Sequence, residues 1–596
     1  MSESKSRRTF LKAVPAAVAG AMATRTMAQQ GARGAISSEN VNCAEAIAGL
    51  DFHTDEEEAI ARGLNGNLST YQQLRQLDIP HDTEIALTFR PYLPGDKPKG
   101  PATPGRVQRY DKPAARSISR PANLEDVAFW PVTKLAVLIE RKLVTSTELT
   151  RMYLARLKRY QPTLLFVVTL TEDLALQQAA EADKAIAAGR YKGPLHGIPW
   201  GAKDLLATRG ITTTWGAEPY MDQVPDFDAT VVERLRDAGA VLVAKLTMGA
   251  LAQGDRWFGG RTRNPWNPES GSSGSSAGPG SATAAGCVGF SIGTETRGSI
   301  ISPTSVNGVV GLRPTYGRVS RYGAMELSWT MDKIGPMCRS VEDCVLVLNA
   351  IYGPDGRDES TADAAFSWNP DAPLSAYRIG YVRGDFEAAP AGRAGGRGGG
   401  RGGGRGGGRG GGANAAGQQA AAAERLKNLQ DAMATLQKLG ARLEPVDLPD
   451  YPANALSFVL SVEAAAAFDD LTRSRGTDLM TQSNSSWGAT FRAARFVPAV
   501  EYLRAQRIRT LLMREWGAFM GQYDAFISSN GSGLAATNLT GHPAIALKCG
   551  FVNNMPQPLM VTGRLYEEAT ICRIAHAYEQ ATEWKDRHPT LPAGGF

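Results

Sequence analysis

The chain has 596 residues, 43% hydrophobic and 21% charged, enough for one large folded core. Its net charge of +6 is local, because residues 1–28 contribute +4 and a glycine-rich repeat contributes five arginines; the remainder has no basic surface that would bind nucleic acid. The six histidines form no His-Glu-x-x-His or i,i+4 pair, and the six cysteines form no Cys-x-x-Cys pair. We therefore expect no metal site, no cofactor and no dense disulfide framework. Cys338 and Cys344 are expected to be buried free thiols, with a disulfide between them as the alternative.

The N-terminal segment has the pattern of an export signal. Residues 6–12, Ser-Arg-Arg-Thr-Phe-Leu-Lys, precede a mildly apolar, alanine-rich run. This is typical of a twin-arginine signal, with cleavage after Ala23 or Ala28. The run is too short for a permanent membrane span, which needs about 20 apolar residues. We expect a bacterial protein that is periplasmic or extracellular, with no membrane attachment once residues 1–28 are removed; a disordered basic tail is the alternative.

The rest of the chain divides into an extension and a main domain. Residues 29–125 are the extension, with a helical part over residues 55–77 followed by a proline-punctuated segment that should wrap the core. Residues 126–590 alternate helix and strand patterns, which predicts one α/β domain.

Two helices of this domain can be predicted from local pattern. One ends ahead of Pro162 and buries a single face, made of Leu149, Met152, Tyr153, Leu157 and Tyr160. The other opens on the capping-box pattern Thr230-x-x-Glu233 and stops at Gly239, before an apolar strand over residues 240–244.

An insert over residues 391–419 interrupts the domain. It repeats Arg-Gly-Gly-Gly with a period of four between a strand pattern over residues 377–382 and a helix pattern over residues 421–439. Because it has no side chains able to form a core, we predict that it is disordered. A tolerated expansion of a surface loop is one explanation; RNA or polyanion binding is the other.

The segment from Asn264 to Ser299 carries the candidate chemistry. Small residues crowd several serines there, which suits a hydroxyl nucleophile with an oxyanion pocket, and an apolar run over residues 282–292 argues against a flexible linker. Upstream, Lys203 follows a strand-like run punctuated by glycine and proline. Taken alone, that lysine could simply extend to solvent.

Together these segments resemble the amidase signature family, and the resemblance covers roughly residues 126–590. The motifs that carry it are Gly-Ile-Pro-Trp-Gly-Ala-Lys203-Asp204, the serine/glycine cluster, Gly-Ser299, Gly311-Leu-Arg-Pro-Thr-Tyr-Gly-Arg-Val-Ser320, Asp332-Lys-Ile-Gly-Pro336, Asn538-Leu-Thr-Gly-His-Pro543 and Gly563-Arg-Leu-Tyr-Glu-Glu-Ala-Thr570. The resemblance implies an α/β fold with one large mixed β-sheet flanked by helices on both faces.

The resemblance also implies a register for the serines. In the family pattern the bridging serine lies twenty-four residues before the nucleophile and eleven after the Asn-Pro asparagine, and both counts give Ser275, starting from Ser299 and Asn264. Ser276 becomes its supporting neighbour. Ser272 and Ser273 become loop residues, with Ser273 and Gly274 where the family has Gly-Gly.

The implied chemistry is acyl transfer on a carboxamide. Ser299 is the nucleophile, Ser275, on a cis peptide in the family, is the proton relay, and a desolvated Lys203 is the base. The expected oxyanion hole consists of the backbone N–H groups of Thr296, Arg297, Gly298 and Ser299.

Three positions depart from the family motif. Arg297 and Ala277 stand where it has glycine, and Ile301 replaces its arginine. A positive φ at residue 297 would be strained for arginine. Arg297 could instead supply the guanidinium that residue 301 lacks.

We therefore predict an exported serine amidase acting on a small-molecule amide other than a peptide bond, and leave a homodimer open. The first alternative is the A-type subunit of a glutamine-hydrolysing tRNA amidotransferase, which shares these motifs. The second is a non-catalytic binding protein on the same scaffold, supported by Arg297.

Overall fold

The computed structural model describes residues 35–48, 50, 53–74, 83, 87–93, 118–387, 413–483 and 485–594. Within these ranges the helices are α1 (Ser38–Ala48), α2 (Thr54–Leu74), α3 (Val132–Glu140), α4 (Ser146–Leu164), α5 (Glu172–Ala187), α6 (Thr230–Asp237), α7 (Ala277–Ala284), α8 (Ile301–Asn307), α9 (Val341–Ile351), α10 (Arg383–Phe386), α11 (Ala413–Lys438), α12 (Phe458–Ala467), α13 (Asp469–Arg473), α14 (Trp487–Ala494), α15 (Ala499–Gln522), α16 (Leu534–Thr540) and α17 (Glu568–Gln580).

The strands of the described residues are β1 (Val167–Leu170), β2 (Pro199–Lys203), β3 (Val241–Leu246), β4 (Arg256–Trp257), β5 (Gly260–Arg261), β6 (Arg263–Asn264), β7 (Asn267–Gly271), β8 (Phe290–Glu295), β9 (Val310–Arg313), β10 (Lys333–Cys338), β11 (Arg378–Val382), β12 (Arg442–Val446), β13 (Ala525–Ser528), β14 (Ala544–Val552) and β15 (Met555–Gly563). Eleven of them form one sheet in the order β1-β3-β2-β8-β10-β9-β14-β15-β13-β11-β12. The sheet is mixed: β2 runs parallel to β3 and β8, whereas β10 is antiparallel to β8 and β9. This confirms the predicted mixed sheet.

Both faces of the sheet are covered by helices, as side-chain alternation along single strands shows. In β3, Val241 and Val243 pack into a core with residues of α4 and α5, whereas Leu242 packs into the larger core on the other face. In β13, Phe526 packs against α15, and its neighbours Ala525 and Ile527 face the opposite way. Strands buried on both faces are nearly continuously apolar, as these are.

Phe89, in the part of the extension that the structure describes, contacts the main domain. The ring of Phe89 packs edge-on against Tyr316, with centroids 5.1 Å apart, and the guanidinium of Arg509 lies 3.7 Å from the centre of the Phe89 ring. The predicted export signal falls outside the described residues.

Three local predictions need correction. Helix α4 continues through Pro162 to Leu164: the proline lies in the last turn, where only one backbone bond is lost, and the N–H of Leu165 still bonds to Gln161. Helix α11 already begins at Ala413, so residues 413–419 are helical rather than part of a disordered insert, in keeping with their alanine content. Residues 391–412 are outside the described residues.

The predicted capping box at α6 is also wrong. Thr230 is the first helical residue rather than the cap, which is Ala229. The Thr230 hydroxyl donates to Asp355, and Glu233 pairs with Arg357. Both side chains are therefore bound to residues outside the helix instead of to each other's backbone N–H groups. The predicted stop is confirmed, because α6 ends at Asp237 and Gly239 has a φ of 83°.

The described residues also bear on three simpler expectations. Cys338 and Cys344 are buried free thiols, as predicted. In the described ranges, no helix has the length and apolar character needed to traverse a bilayer. Nor do they contain three His, Cys, Asp or Glu side chains grouped as metal ligands.

Candidate active site

Lys203 is placed by the end of β2, a strand in which every residue is buried. Its Nζ atom lies 2.8 Å from Ser275 Oγ, 2.8 Å from Thr294 Oγ1 and 3.1 Å from Ser276 Oγ. The side chain therefore turns into the protein, toward the serine cluster, rather than extending to solvent.

Burial controls the protonation of this lysine. Desolvation lowers the pKa of Lys203 to about 7, although attraction by Asp332 and Glu295 partly opposes that shift. A neutral amine has two N–H donors and one lone pair. It can donate to Thr294 and Ser276 and accept the proton of Ser275, which is the arrangement a general base needs.

Ser275 and Ser276 both contact Lys203 but differ in what their hydroxyls can do. The Ser276 hydroxyl donates to the Thr294 carbonyl and accepts from the Thr294 N–H, each at 3.1 Å. The Ser276 proton is therefore already used in a hydrogen bond that stabilises the turn. The Ser275 hydroxyl bonds to Lys203 alone among the described residues, which leaves its proton free for transfer.

The backbone before Ser275 explains the glycine there. The Gly274–Ser275 peptide bond is cis. A Cβ atom on Gly274 would lie 1.7 Å from the carbonyl oxygen of Gly254, so no larger residue fits.

Ser272, in the more conspicuous Gly-Ser-Ser-Gly run, is not part of this cluster. Its hydroxyl bonds to the Thr262 carbonyl at 3.3 Å, and its own carbonyl accepts from Asn307. Ser272 thus fixes the loop after β7. This geometry favours the register that selects Ser275.

Ser299 lies beside the serine turn, because its carbonyl accepts a 3.1 Å bond from the Ser276 N–H. Its side chain is partly exposed, and its hydroxyl has no hydrogen-bond partner within the described residues. The relay bond from Ser299 to Ser275 is therefore not formed in this structure. Catalytic hydrogen bonds often tighten only when substrate is bound.

The predicted oxyanion donors are free to bind a ligand. In the described chain, the backbone N–H groups of Thr296, Arg297, Gly298 and Ser299 donate no hydrogen bond. By contrast, the flanking N–H groups of Thr294 and Ile300 are both bonded. A run of four unpaired donors beside a partly exposed serine is the geometry that stabilises an oxyanion.

Two carboxylates to which the sequence analysis assigned no role hold this segment. Glu295, fully buried, accepts from the N–H groups of Ile300 and Ile301, each at 2.9 Å, and binds Arg313 and Asn538. Burial would raise the pKa of Glu295, but Arg313 and Lys333 outweigh it and lower that pKa, so the carboxylate stays ionised. The sequence does contain a signal for this role, because Glu295 is an acidic residue at the end of an apolar strand pattern.

Asp332 is the second such carboxylate. It accepts the Thr296 hydroxyl at 2.6 Å and the N–H groups of Leu327 and Ser328. It therefore fixes the start of the predicted oxyanion loop.

The departures from the family motif are accommodated without distorting the loop. Arg297 does not have a positive φ; that conformation belongs to Gly298, at 116°. The Arg297 side chain is exposed and reaches Asn454 at 3.3 Å, so it does not replace an interior guanidinium. Ile301 packs in an apolar cluster with Ala544 and Met560. Arg297 thus gives no support to a non-catalytic scaffold.

Residue 273 is serine in this chain, where the family motif has glycine. Its φ is 59°, in the left-handed region that disfavours side chains by roughly 1 kcal/mol. We expect Ser273→Gly to stabilise the protein by up to about 1 kcal/mol, measured by urea unfolding. Ser375→Gly, at an exposed position with negative φ, should destabilise it instead. Equal losses in the two variants would contradict this account.

Comparison with known proteins identifies the family. A family model described as Amidase matches residues 148–393. The A subunit of glutamyl-tRNA(Gln) amidotransferase from Moorella thermoacetica is 33% identical over 507 residues, which cover 77% of this chain and 98% of that protein. The chain belongs to the amidase signature family. The corresponding protein of Geobacillus thermodenitrificans is 32% identical over 508 residues, with 77% and 99% coverage.

Solved amidase structures share the fold. The peptide amidase of Stenotrophomonas maltophilia superposes with a TM-score of 0.65 at 28% identity, covering 78% of this chain and 99% of that one. A bacterial aryl acylamidase of the family has a TM-score of 0.64 at 19% identity, a likeness of fold alone. The protein is therefore an amidase signature enzyme, a hydrolase of amide carbon–nitrogen bonds.

Proposed function

We propose that the protein is a serine amidase that hydrolyses a carboxamide, with Ser299 as nucleophile, Ser275 as proton relay and Lys203 as base. The observation that carries this proposal is the 2.8 Å contact between Lys203 Nζ and Ser275 Oγ in a fully buried setting. A lysine with a pKa of about 7 is uncharged in a large fraction of molecules at neutral pH.

The proposed reaction uses these groups in sequence. As Ser299 Oγ attacks the carboxamide carbon, its proton passes to Ser275 and the Ser275 proton passes to Lys203. The negative charge on the carbonyl oxygen is taken up by the free N–H groups of residues 296–299. The proton then returns from Lys203 to the leaving nitrogen, ammonia or an amine departs, and water releases the acid from Ser299 by the same relay.

The pH dependence of the reaction should follow Lys203. Because only the neutral amine accepts a proton, and its pKa lies at about 7, kcat/KM should rise tenfold per pH unit below pH 7 and level off above it. Initial rates from pH 5 to 9 on a neutral amide measure this. A rate that still rises tenfold per pH unit between pH 8 and 9, as the ordinary lysine pKa of about 10.4 would give, would mean that the amine is not desolvated in solution.

Sequence similarity favours a second candidate, the glutamine-hydrolysing A-type subunit of a tRNA amidotransferase. The relatives at 32–33% identity carry that description. The twin-arginine pattern supports the first candidate, because charged tRNA is a cytoplasmic substrate. The structural likeness to a peptide amidase also supports a stand-alone amidase.

A substrate panel separates the two candidates. The purified chain without residues 1–28 would be given glutamine, peptide amides, aliphatic amides and aryl amides, and release of ammonia or amine measured. We expect the chain alone to hydrolyse one or more of the non-glutamine amides. Hydrolysis confined to glutamine would favour the amidotransferase candidate. No turnover of any amide by the chain alone would contradict a stand-alone amidase.

We also propose export through residues 1–28, based on the paired Arg7 and Arg8 and the short apolar run. The test is to replace both arginines by lysine and to follow the full-length protein in cell fractions. The double variant should remain in the cytoplasm as precursor. Unchanged export would remove the periplasmic or extracellular assignment.

A further inference from the structure

A cavity of about 530 Å³ lies at the end of the sheet opposite Lys203. Strand β10 shows the direction: its first residue, Lys333, pairs with Glu295 at the catalytic end, and its last residue, Cys338, pairs with Val310. Arg339, the next residue, lines the cavity. A strand of this length separates the two places by about 20 Å. The cavity is therefore distinct from the serine cluster.

The cavity contains a lysine that forms no ion pair within the described residues, although Glu579 and Asp586 attract its charge from farther away. Lys548, on β14, donates to the Gly308 carbonyl at 2.7 Å, and no carboxylate of the described chain lies within 4 Å of its Nζ atom. Burial lowers the pKa of Lys548 to about 8, so most molecules still carry the charge at pH 7. Lys134 and Arg587, also on the wall, likewise form no ion pair with described residues.

The remaining charges leave the cavity positive. Five basic side chains line it, against four acidic ones, among the residues that the structure describes. One of the four, Glu579, is buried, and desolvation raises its pKa to about 8, so it is largely protonated at pH 7. A partly enclosed space with excess positive charge attracts anions.

Aromatic rings form much of the apolar wall. Phe129, Trp130 and Trp266 line the cavity. Phe129 stacks on His588 with centroids 3.8 Å apart, and the indole N–H of Trp266 donates to the Asn307 carbonyl at 2.8 Å. These contacts fix two of the rings in position, which suits a flat apolar group.

We propose that this cavity binds a small organic anion, a carboxylate carried on a planar apolar body, with Lys548 as its counter-ion. Its volume is within the 300–1,000 Å³ range typical of small-molecule sites. The proposal does not depend on the catalytic roles of Ser299 or Ser275.

The test uses benzoate as the probe and the full chain carrying Ser299→Ala, so that no turnover occurs. Titration is followed by calorimetry and by tryptophan fluorescence, because Trp130 and Trp266 line the cavity. Benzoate should bind saturably, at least about tenfold more tightly than benzyl alcohol, which lacks the charge, or inorganic phosphate, which lacks the ring.

Variants locate the binding. Lys548→Met, nearly isosteric and free of the buried charge, should weaken benzoate binding at least about tenfold. Lys438→Met, at an exposed position of helix α11, should not change it. Replacing Trp130 and Trp266 by phenylalanine should remove the fluorescence change but keep calorimetric binding. The proposal is overturned if benzoate does not saturate, if Lys548→Met binds as wild type does, or if benzyl alcohol or phosphate binds equally well.

Discussion

Ser299→Ala should reduce amide hydrolysis by about four orders of magnitude or more, because the acyl group then has no nucleophile to form an ester with. The same change should abolish covalent labelling by a fluorophosphonate, which reacts with an activated serine hydroxyl. Turnover and mass-spectrometric labelling are the two measurements.

The matched control for Ser299 is Ser302, the next serine along the chain, in helix α8. Ser302→Ala should keep both labelling and turnover within a few-fold of wild type. If Ser299→Ala still turned over amides at a measurable fraction of the wild-type rate, the proposed nucleophile would be wrong.

Ser275→Ala and Lys203→Met should each reduce kcat/KM by roughly three to four orders of magnitude, because each breaks the same proton path. The double variant should be little worse than either single one, since residues that act as a unit are not additive. Methionine at residue 203 fills the buried space without the amine, so the variant should still fold. Its unfolding transition, compared with that of the wild type, checks this.

Ser272→Ala is the matched control for the relay. Among the described residues its hydroxyl bonds only to backbone carbonyls, at 3.3 and 3.4 Å, so activity should change by no more than a few-fold. An inactive Ser272→Ala together with an active Ser275→Ala would show that the register is wrong.

The contact between Lys203 and Ser275 was predictable, because both residues lie in ungapped motifs and a count along the chain selects Ser275 rather than Ser272. The partners of Glu295 could not be predicted from the sequence. Arg313 and Asn538 reach it from β9 and α16, and no local pattern indicates such a contact. The residue's burial, however, follows from its place at the end of an apolar strand.

The predicted start of helix α6 was wrong because a tertiary contact overrode the local preference of the sequence. Thr230 has the residue type of a cap, yet Asp355, far along the chain, binds its hydroxyl. The true capping box lies at α4, where Thr145 and Glu148 exchange both bonds. Helix and capping propensities describe an isolated segment. In the folded protein, a side-chain partner from another segment can outweigh them, as Asp355 does for Thr230.

The strand order has a consequence for the integrity of the chain. Strand β11, from before the glycine-rich insert, lies between β12 and β13, which come after it. A protease that cut the arginine-containing tract would therefore sever the chain without separating its parts, since the two fragments share one sheet. Ser275 and Ser299 would be on one fragment and Asn538, which holds Glu295, on the other. The nicked protein would be a two-chain enzyme, and each fragment expressed alone would lack part of the sheet needed to fold.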